Sequence, residues 1–237
     1  MNNAIMLVHN RPMLTNQAIR SFLGNSKFDW SLTVVDDGSH YQTGILLEGF
    51  ARHAPNMRVV RHAHPTCNTA FNRNLGVYWS KHFFGRGDWL YLSDNDAYFT
   101  PSWDLVMVRA MQEVGHEYLL LGPYRHPYHQ PHDIGRPTMN VGGHMYQVVS
   151  TDAVQGIGWL LAWTSWDKFG ALIEHKGEGH GTNQSEDFEW CQRVVKAGFK
   201  VGSVEPHVVY NCGVTGSDGK PSPGSERMNK VEGVYYE

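Results

Sequence analysis

The sequence predicts an α/β protein whose central sheet is mainly parallel and flanked by helices. Two observations lead to this prediction. Short apolar runs recur through the first 100 residues, and segments with the apolar spacing of helices separate them. Alternating strands and helices form βαβ units, in which the strands run parallel. At 237 residues the chain can form one large domain with a full hydrophobic core.

The first half of the chain contains four predicted strands and two clear helices. The strands are AIMLV (4–8), SLTVV (31–35), MRVV (57–60) and WLYLS (89–93). The first helix, RPMLTNQAIRSFLG, has Pro12 in its first turn and Gly24 as its predicted C-cap. The second helix, FNRNLGVYWSKHFFG, ends at Gly85. These elements define residues 1–100 as the first half of the predicted domain.

The second half, residues 101–212, is less regular and predicts a smaller β region. The predicted strands are YLLLG (118–122), MYQVVS (145–150), GWLLAW (158–163) and KVGSVEPHVVY (200–210), the last one broken by Pro206. A loop rich in Pro, Gly and His is predicted over residues 122–144. The segment SEDFEWCQRVVKAGF is a helix with Ser185 as N-cap and Gly198 as C-cap. Residues 213–237 are predicted to be a flexible tail, or a lid over a bound ligand.

Composition narrows the possible classes of partner and location. The formal net charge of −3 argues mildly against nucleic acid or an anionic membrane as a partner. No apolar stretch approaches the roughly 18 residues of a membrane span, and the N-terminus does not resemble a signal peptide. Three scattered cysteines form no disulfide framework or zinc ribbon. We therefore expect a soluble cytoplasmic protein with free thiols and no membrane partner.

Polar clusters follow three of the predicted strands. They are His9-Asn10, Asp36-Asp37-Gly38-Ser39 and Asp94-Asn95-Asp96. The carboxyl ends of parallel strands gather at one edge of a sheet, where α/β proteins bind their ligands. Asp94 and Asp96 are two residues apart, so on a strand their carboxylates face the same side. Two such carboxylates suit Mn²⁺ or Mg²⁺ shared with a substrate diphosphate, whereas the alternative is a solvated turn.

Other candidate residues allow both functional and structural interpretations. Asp37 can accept hydrogen bonds from a base or a ribose, or it can belong to an ordinary turn. Glu186 and Asp187 open a predicted helix, where a carboxylate is placed either as a general base or to complement the helix dipole. His207 alone is more often structural than a ligand. Zinc binding by the histidines of the 122–144 loop is not favoured, because intervening prolines prevent the helix that would bring them together. These histidines are His126, His129 and His132.

The ordered set of motifs resembles the family 2 glycosyltransferases with the A-type (GT-A, Rossmann-like) fold. It consists of LVHNRP, TVVDDGS, FNRNLGV, YLSDNDAYFTPSW and SEDFEWCQRVVKAGFKV, and it covers roughly residues 4–210. Each motif alone is weak, but the order of the whole set is specific. The resemblance implies a single GT-A domain over residues 1–212. In that domain, residues 1–100 bind a nucleotide sugar and residues 101–212 contribute the acceptor side and the catalytic residues.

The resemblance also implies roles for individual residues. Asp37 matches the acid that reads the nucleotide base. The other donor-side residues are His9, Asn10, Arg73, Asn74 and Asp94, the last one usually near the ribose. Asp96 matches the metal ligand, and His207 matches a late histidine that supplies another metal ligand in many relatives. Asp187 matches the catalytic base of inverting members, with Trp159 and Glu186 on the acceptor side.

The implied activity is metal-dependent, inverting transfer of a sugar from a nucleotide-diphosphate sugar to a hydroxyl acceptor. The metal is Mn²⁺ or Mg²⁺, which neutralises the departing diphosphate. The acceptor could be a small molecule, a glycan, a protein or a modified nucleic-acid base. Two other classes stay open. One is a nucleotidyltransferase, which lacks support because VHNRP offers no glycine-rich phosphate loop. The other is a binding module without turnover.

Overall fold

The computed structural model describes residues 1–125, 137–154, 157–174 and 186–213. The first strands are Asn2–Val8 (β1), Trp30–Asp36 (β2), Met57–Arg61 (β3), Trp89–Asp94 (β4), Ala97–Phe99 (β5) and Tyr118–Gly122 (β6). The later strands are Thr138–Val141 (β7), His144–Thr151 (β8), Gly158–Ala162 (β9), Lys200–Glu205 (β10) and Val209–Asn211 (β11). The helices are Pro12–Asn25 (α1), Tyr41–His53 (α2), Thr69–Phe84 (α3), Trp103–Val114 (α4), Trp163–Phe169 (α5) and Glu186–Lys196 (α6).

A nine-stranded sheet forms the centre of the described residues, in the order β3-β2-β1-β4-β9-β6-β10-β8-β7. Strands β1 to β4 pair in parallel, and β6 pairs in parallel with β10. Strands β8 and β9 run in the opposite direction to their neighbours. A separate two-stranded sheet pairs β5 with β11. The predicted fold class, a mainly parallel sheet flanked by helices with a smaller β region, is confirmed.

The alternating side chains of the sheet divide the core into two layers. On β1, Ala4, Met6 and Val8 pack with α1 and α4, whereas Ile5 packs on the opposite face with α3. Helices α5 and α6 add Trp166, Trp190 and other apolar residues to that second face. Because both faces of the central strands are covered, their sequences are almost continuously apolar, as in buried parallel sheets generally.

Several predicted boundaries need correction. The predicted loop over residues 122–144 contains β7, which forms an antiparallel hairpin with β8 at the edge of the sheet. The sequence did not predict this edge strand, because the polar residues in TMNV are not typical of a buried strand. Gly24 is not a C-cap, because α1 continues to Asn25 and its C-cap residue is Ser26. Gly85 and Gly198 do follow helix ends with φ values of 75° and 87°, as expected of glycine caps.

Some predictions fall outside the described residues. They concern the Ser185 N-cap, the three loop histidines and the tail from residue 214 onward. Within the described ranges, no helix combines the length and the apolar character needed to cross a membrane.

The fold places the predicted site residues at one edge of the sheet. The carboxyl ends of β1, β2, β3 and β4 lie side by side because these strands are parallel. Helix α6 is followed by a short connection to β10 and packs against that strand, so its first turn lies near the carboxyl end of β10. Strand ends from the first half and acids from the second half therefore lie at the same edge of the sheet.

Packing of α3 against the sheet requires glycine at position 76. A Cβ atom there would overlap the Ile5 side chain and lie 3.0 Å from Cγ2 of Val35. Gly76→Ala is therefore expected to destabilise the fold by about 1–3 kcal/mol, which chemical denaturation can measure. Gly24→Ala is the matched control, since no atom lies within 4 Å of the added methyl group. That substitution should leave stability unchanged or raise it by up to about 1 kcal/mol. Equal effects of the two substitutions would contradict this account of the packing.

Candidate active site

The two predicted metal-site carboxylates each meet an arginine. Asp94 ends β4, and Nη2 of Arg73 lies 3.1 and 3.3 Å from its two carboxylate oxygens. Asp96 lies in the turn before β5, and Nη1 of Arg11 donates to its Oδ2 at 3.0 Å. The Asp94 side chain is 33% exposed and that of Asp96 is 19% exposed. The acidic turn is therefore partly exposed and is partly neutralised by protein cations.

The ionisation of these two carboxyl groups is coupled. The pKa of Asp94 is raised to about 6, because burial and the charge of Asp96 together outweigh the opposing charge of the Arg73 guanidinium. Burial also raises the pKa of Asp96, against the opposing charge of Arg11. Two nearby carboxylates resist simultaneous ionisation unless more positive charge is supplied.

Arg11 reaches Asp96 from an unusual backbone conformation. Asn10 and Arg11 have φ values of 57° and 55°, in the left-handed region that few non-glycine residues adopt. The side chain of Asn95 donates to the Asn10 carbonyl at 3.1 Å and to Oγ1 of Thr15 at 2.8 Å, which secures this turn. The prediction from sequence did not connect Arg11 with the acidic turn. The sequence feature that could have indicated this contact is a basic residue next to the polar strand end in VHNRP.

Gly213 is a second residue that the prediction missed. The backbone N–H of Cys212 donates to the Asp96 carbonyl at 2.6 Å. The next residue passes so close to Asp96 that a Cβ at position 213 would overlap the carboxylate. Gly213 is anchored by the side chain of Asn211, which accepts its N–H at 2.8 Å. The chain after β11 thus covers one side of Asp96, and a side chain at position 213 would displace the Asp96 carboxylate.

Asp37 organises the loop between β3 and α3. Its carboxylate oxygens accept the backbone N–H groups of Thr66 at 2.6 Å and Cys67 at 3.0 Å. Burial raises the pKa of Asp37, but the hydrogen bonds from Thr66, Cys67 and Asn72 outweigh it, so the pKa lies below its usual value. Asp37 is therefore ionised at neutral pH.

His9 and Asn10 lie beside Asp37, as their shared strand-end position predicts. Nδ1 of His9 lies 2.7 Å from the carbonyl oxygen of Asp37. The Asn10 N–H donates to Oγ of Ser39 at 2.8 Å, and its side-chain oxygen accepts from the backbone N–H of His40. The first two strand ends therefore form one hydrogen-bonded surface.

Arg73 connects the acidic turn to the first turn of α6. Nη1 of Arg73 lies 3.5 Å from Oε1 of Glu186, while Nη2 contacts Asp94. Its guanidinium also lies 5.7 Å from the ring centre of Trp159. Trp159 is fully buried, and its indole N–H donates to the Val154 carbonyl at 3.1 Å. Trp159 therefore packs beneath the Arg73 guanidinium. Its side chain has no solvent-exposed surface that could contact an acceptor in this structure.

The structure gives Asn74 and Asp187 different surroundings. Both ends of the Asn74 amide bond the backbone of Leu172, at 2.9 Å each, so this side chain anchors the segment after α5. Asp187 lies in the first turn of α6, where its Oδ1 accepts the Phe188 N–H at 2.8 Å. Its charge acts on both Arg73 and Asp94. Asp187 therefore belongs to the acidic cluster.

His207 does not join Asp94 and Asp96 in a metal-binding group. Its ring lies 4.7 Å from that of Tyr124, and its Nε2 accepts the Arg125 N–H at 3.4 Å. Among the described residues, no three His, Cys, Asp or Glu side chains are grouped to hold a metal ion. In this arrangement His207 packs against the residues that follow β6, and its role as a metal ligand stays a prediction.

The acidic turn itself fits a divalent cation shared with a ligand. Asp94, Asp96, Glu186 and Asp187 can carry four negative charges, and Arg73 and Arg11 carry two positive charges, which leaves two negative charges over. One divalent cation balances that excess. Carboxylate oxygens suit Mg²⁺ and Mn²⁺, which commonly take only one or two protein carboxylates and complete their shell with water and phosphate oxygens.

The coupling between the two carboxyl groups gives a direct prediction. Asp96→Asn removes a negative charge next to Asp94, so the pKa of Asp94 should fall from about 6 toward its ordinary value. Carbon-13 NMR of the carboxyl groups in EDTA can follow this titration. Asp167→Asn is the control, because Asp167 pairs with Arg86 outside the acidic cluster and should leave Asp94 unchanged. An Asp94 pKa that stays constant or rises in Asp96→Asn would contradict the coupling.

Solved structures with a similar fold include proteins that bind nucleotide sugars. Mannosyltransferase PcManGT from Pyrobaculum calidifontis, in complex with GDP-Man and Mn²⁺, has 12% identity and a TM-score of 0.59 over 85% of this chain and 55% of its own. S. aureus TarS has 14% identity and a TM-score of 0.64 over 98% and 39%. GalNAc-T7, with UDP, GalNAc and Mn²⁺, has 13% identity and a TM-score of 0.62 over 98% and 48%.

These similarities establish the fold as GT-A, the architecture that the motif order implied. The chain spans 39% to 55% of the length of these three proteins. No curated protein sequence matches it significantly. The sequence profile of one family, described as Glycosyl transferase family 2, matches residues 4–159. That match covers more than half of the chain and includes the strand ends that carry Asp37, Asp94 and Asp96. The chain therefore belongs to glycosyl transferase family 2.

Proposed function

We propose that the protein transfers a sugar from a nucleotide-diphosphate sugar to a hydroxyl acceptor, with inversion at the anomeric carbon. The observation that carries this proposal is the meeting of the Asp94–Asp96 turn with the acidic first turn of α6, through Arg73. The Asp94–Asp96 turn would provide the site for a charged leaving group, and the first turn of α6 would provide the base. Family membership supports glycosyl transfer as the reaction class.

The donor class is inferred from the site and from the relatives. PcManGT binds GDP-Man with Mn²⁺, and GalNAc-T7 was solved with UDP, GalNAc and Mn²⁺. In this chain the first 100 residues would form the donor half. Asp37, His9 and Asn10 would line the nucleoside end, because they lie together at adjacent strand ends. Asp94 would lie between the nucleoside and the diphosphate.

Asp96, assisted by Asp94, would hold Mn²⁺ or Mg²⁺. When bound, such an ion neutralises the charge that develops on the departing diphosphate. Arg11 would then exchange its contact with Asp96 for one with the phosphate oxygens, since a guanidinium pairs well with either group. Gly213 keeps the backbone close to Asp96 and would shield that side of the site from water.

Asp187 would act as the general base. It lies in the first turn of α6, near the charges of Arg73 and Asp94. A carboxylate there can accept the proton of an acceptor hydroxyl as its oxygen attacks the anomeric carbon. Attack from the face opposite the leaving diphosphate forms the new C–O bond, breaks the bond to the diphosphate and inverts the configuration.

The acceptor would bind along the second half of the chain, residues 101–212. A modified nucleic-acid base is one alternative acceptor, although the net charge of −3 gives no general attraction to nucleic acid. A module that binds a nucleotide sugar without turnover is the alternative function, and the experiment below separates it from an enzyme.

Asp187→Asn tests the proposed function. The substitution removes the base but keeps the size of the side chain, so turnover should fall by about 10²–10⁴-fold. Affinity for the Mn²⁺–donor complex should stay nearly constant. Release of nucleoside diphosphate from a panel of nucleotide sugars measures turnover, and calorimetry measures donor affinity. Asp167→Asn, at an exposed position of α5, is the control that should retain wild-type turnover.

Each possible result assigns the protein to a class. Lost turnover with retained donor binding supports an enzyme with Asp187 as its base. Donor binding by the wild type without turnover, with any acceptor tested, supports the binding module. Equal turnover in wild type and Asp187→Asn would refute the assigned base.

A further inference from the structure

We propose that Arg73 is a positioning residue, which holds the first turn of α6 against the end of β4 and so sets the distance between base and leaving group. This inference rests on the proposed function and deepens it. It also gives Arg73 a role different from the direct donor contact that the resemblance implied. The role follows from where its guanidinium lies and from which elements it joins.

The Arg73 guanidinium is enclosed by protein groups. Its side chain is 2% exposed, and its guanidinium lies 5.7 Å from the centre of the Trp159 ring. Along its edge, Nη2 contacts both oxygens of Asp94, and Nη1 contacts Glu186 at 3.5 Å. A donor molecule would meet Asp94, which is 33% exposed, before it could reach Arg73. The buried position therefore favours an indirect role.

Arg73 joins elements that are distant in the sequence. It projects from α3, Asp94 ends β4, and Glu186 begins α6. Glu186 is next to Asp187, so a contact that fixes Glu186 also restrains the proposed base. A guanidinium is planar and presents its donors in a fixed fork, which makes it suited to hold two carboxylates in a defined geometry. Lysine has the charge but lacks this fork.

Electrostatics keep this link intact at neutral pH. Burial alone would lower the pKa of Arg73, but the charges of Asp94, Glu186 and Asp187 raise it above its usual value. The guanidinium therefore stays charged. Without it, three carboxylates would face one another near Trp159 with no buried cation between them. Their repulsion would move the first turn of α6 away from β4.

The residue after Arg73 strengthens the same connection. Asn74 bonds both the N–H and the carbonyl of Leu172, in the segment that follows α5. Two consecutive residues of α3 thus hold parts of the second half of the chain. Asn74 fixes the segment after α5, and Arg73 fixes the beginning of α6. Both contacts add to the β4–β9 strand pairing that already joins the two halves of the chain.

The experiment compares Arg73→Gln with a matched control, Arg86→Gln. Arg86 also forms a two-point ion pair, with Asp167 at 2.8 Å, and it also lies over a tryptophan ring, 5.5 Å from the centre of Trp163. It precedes β4, at the end of that strand opposite Asp94. Arg73→Gln should lower kcat by about 100-fold, as expected for a misplaced catalytic group, with a smaller change in donor KM. Arg86→Gln should leave both constants near wild type.

Hydrogen exchange of the α6 backbone provides a readout that does not need catalysis. In Arg73→Gln, amides of the first turns of α6 should exchange faster than in wild type, and in Arg86→Gln they should not. Arg73→Lys keeps the buried charge and should restore folding if the glutamine variant proves unstable. Because it lacks the planar fork, it should still show faster exchange and a lower kcat.

A double-mutant cycle with Glu186→Gln tests whether the two side chains act as one unit. If Arg73 acts through Glu186, the second substitution should add less than about 3-fold to the kcat loss of Arg73→Gln. Fully multiplicative effects, or unchanged α6 exchange in both Arg73 variants, would overturn the inference. A much weaker donor affinity in Arg73→Gln with unchanged kcat would show a direct donor contact instead. If the wild type binds no donor, the proposed function fails, and the exchange data alone still decide whether Arg73 holds α6.

Discussion

The site depends on the compensation of clustered negative charge at one edge of the sheet. Buried carboxylates are costly unless cations or hydrogen bonds meet them. Here the fold supplies two arginines from different elements, Arg11 before α1 and Arg73 within α3. Each has its own carboxylate partner, and Arg73 also reaches Glu186. This partial neutralisation stabilises the fold and leaves an excess of negative charge, which a divalent cation can balance.

The same edge explains how distant segments act together. Parallel pairing of the first four strands brings His9, Asp37 and Asp94 to one line although they are separated by many residues. Helix α6 then brings its acids to that line from the second half of the chain. The small β5–β11 sheet returns the chain to Asp96 and places Gly213 against it. Sheet topology gathers the groups, and the arginines fix their spacing.

The central elements were predictable because their signals are local. Apolar runs such as WLYLS and helix-ending glycines such as Gly85 identify strands and helices without reference to tertiary contacts. Strand β7 was missed because its polar TMNV segment is an edge strand, stabilised by pairing with β8. Similarly, the strand ends revealed Asp37, Asp94 and Asp96, but not their partners. The contacts of Arg11, Gly213 and Trp159 depend on packing between distant segments, which no spacing in the sequence encodes.

The most direct test of this charge balance is calorimetric titration of the wild type and Asp96→Ala with a panel of nucleoside diphosphates, in Mn²⁺ and in EDTA. The account predicts that one nucleotide binds the wild type in Mn²⁺, and that its affinity falls steeply in EDTA. In Asp96→Ala the Mn²⁺-dependent part of the affinity should disappear. Affinity that is the same with Mn²⁺ and EDTA, or that is unchanged in Asp96→Ala, would contradict the assignment of the acidic turn as the metal–diphosphate site.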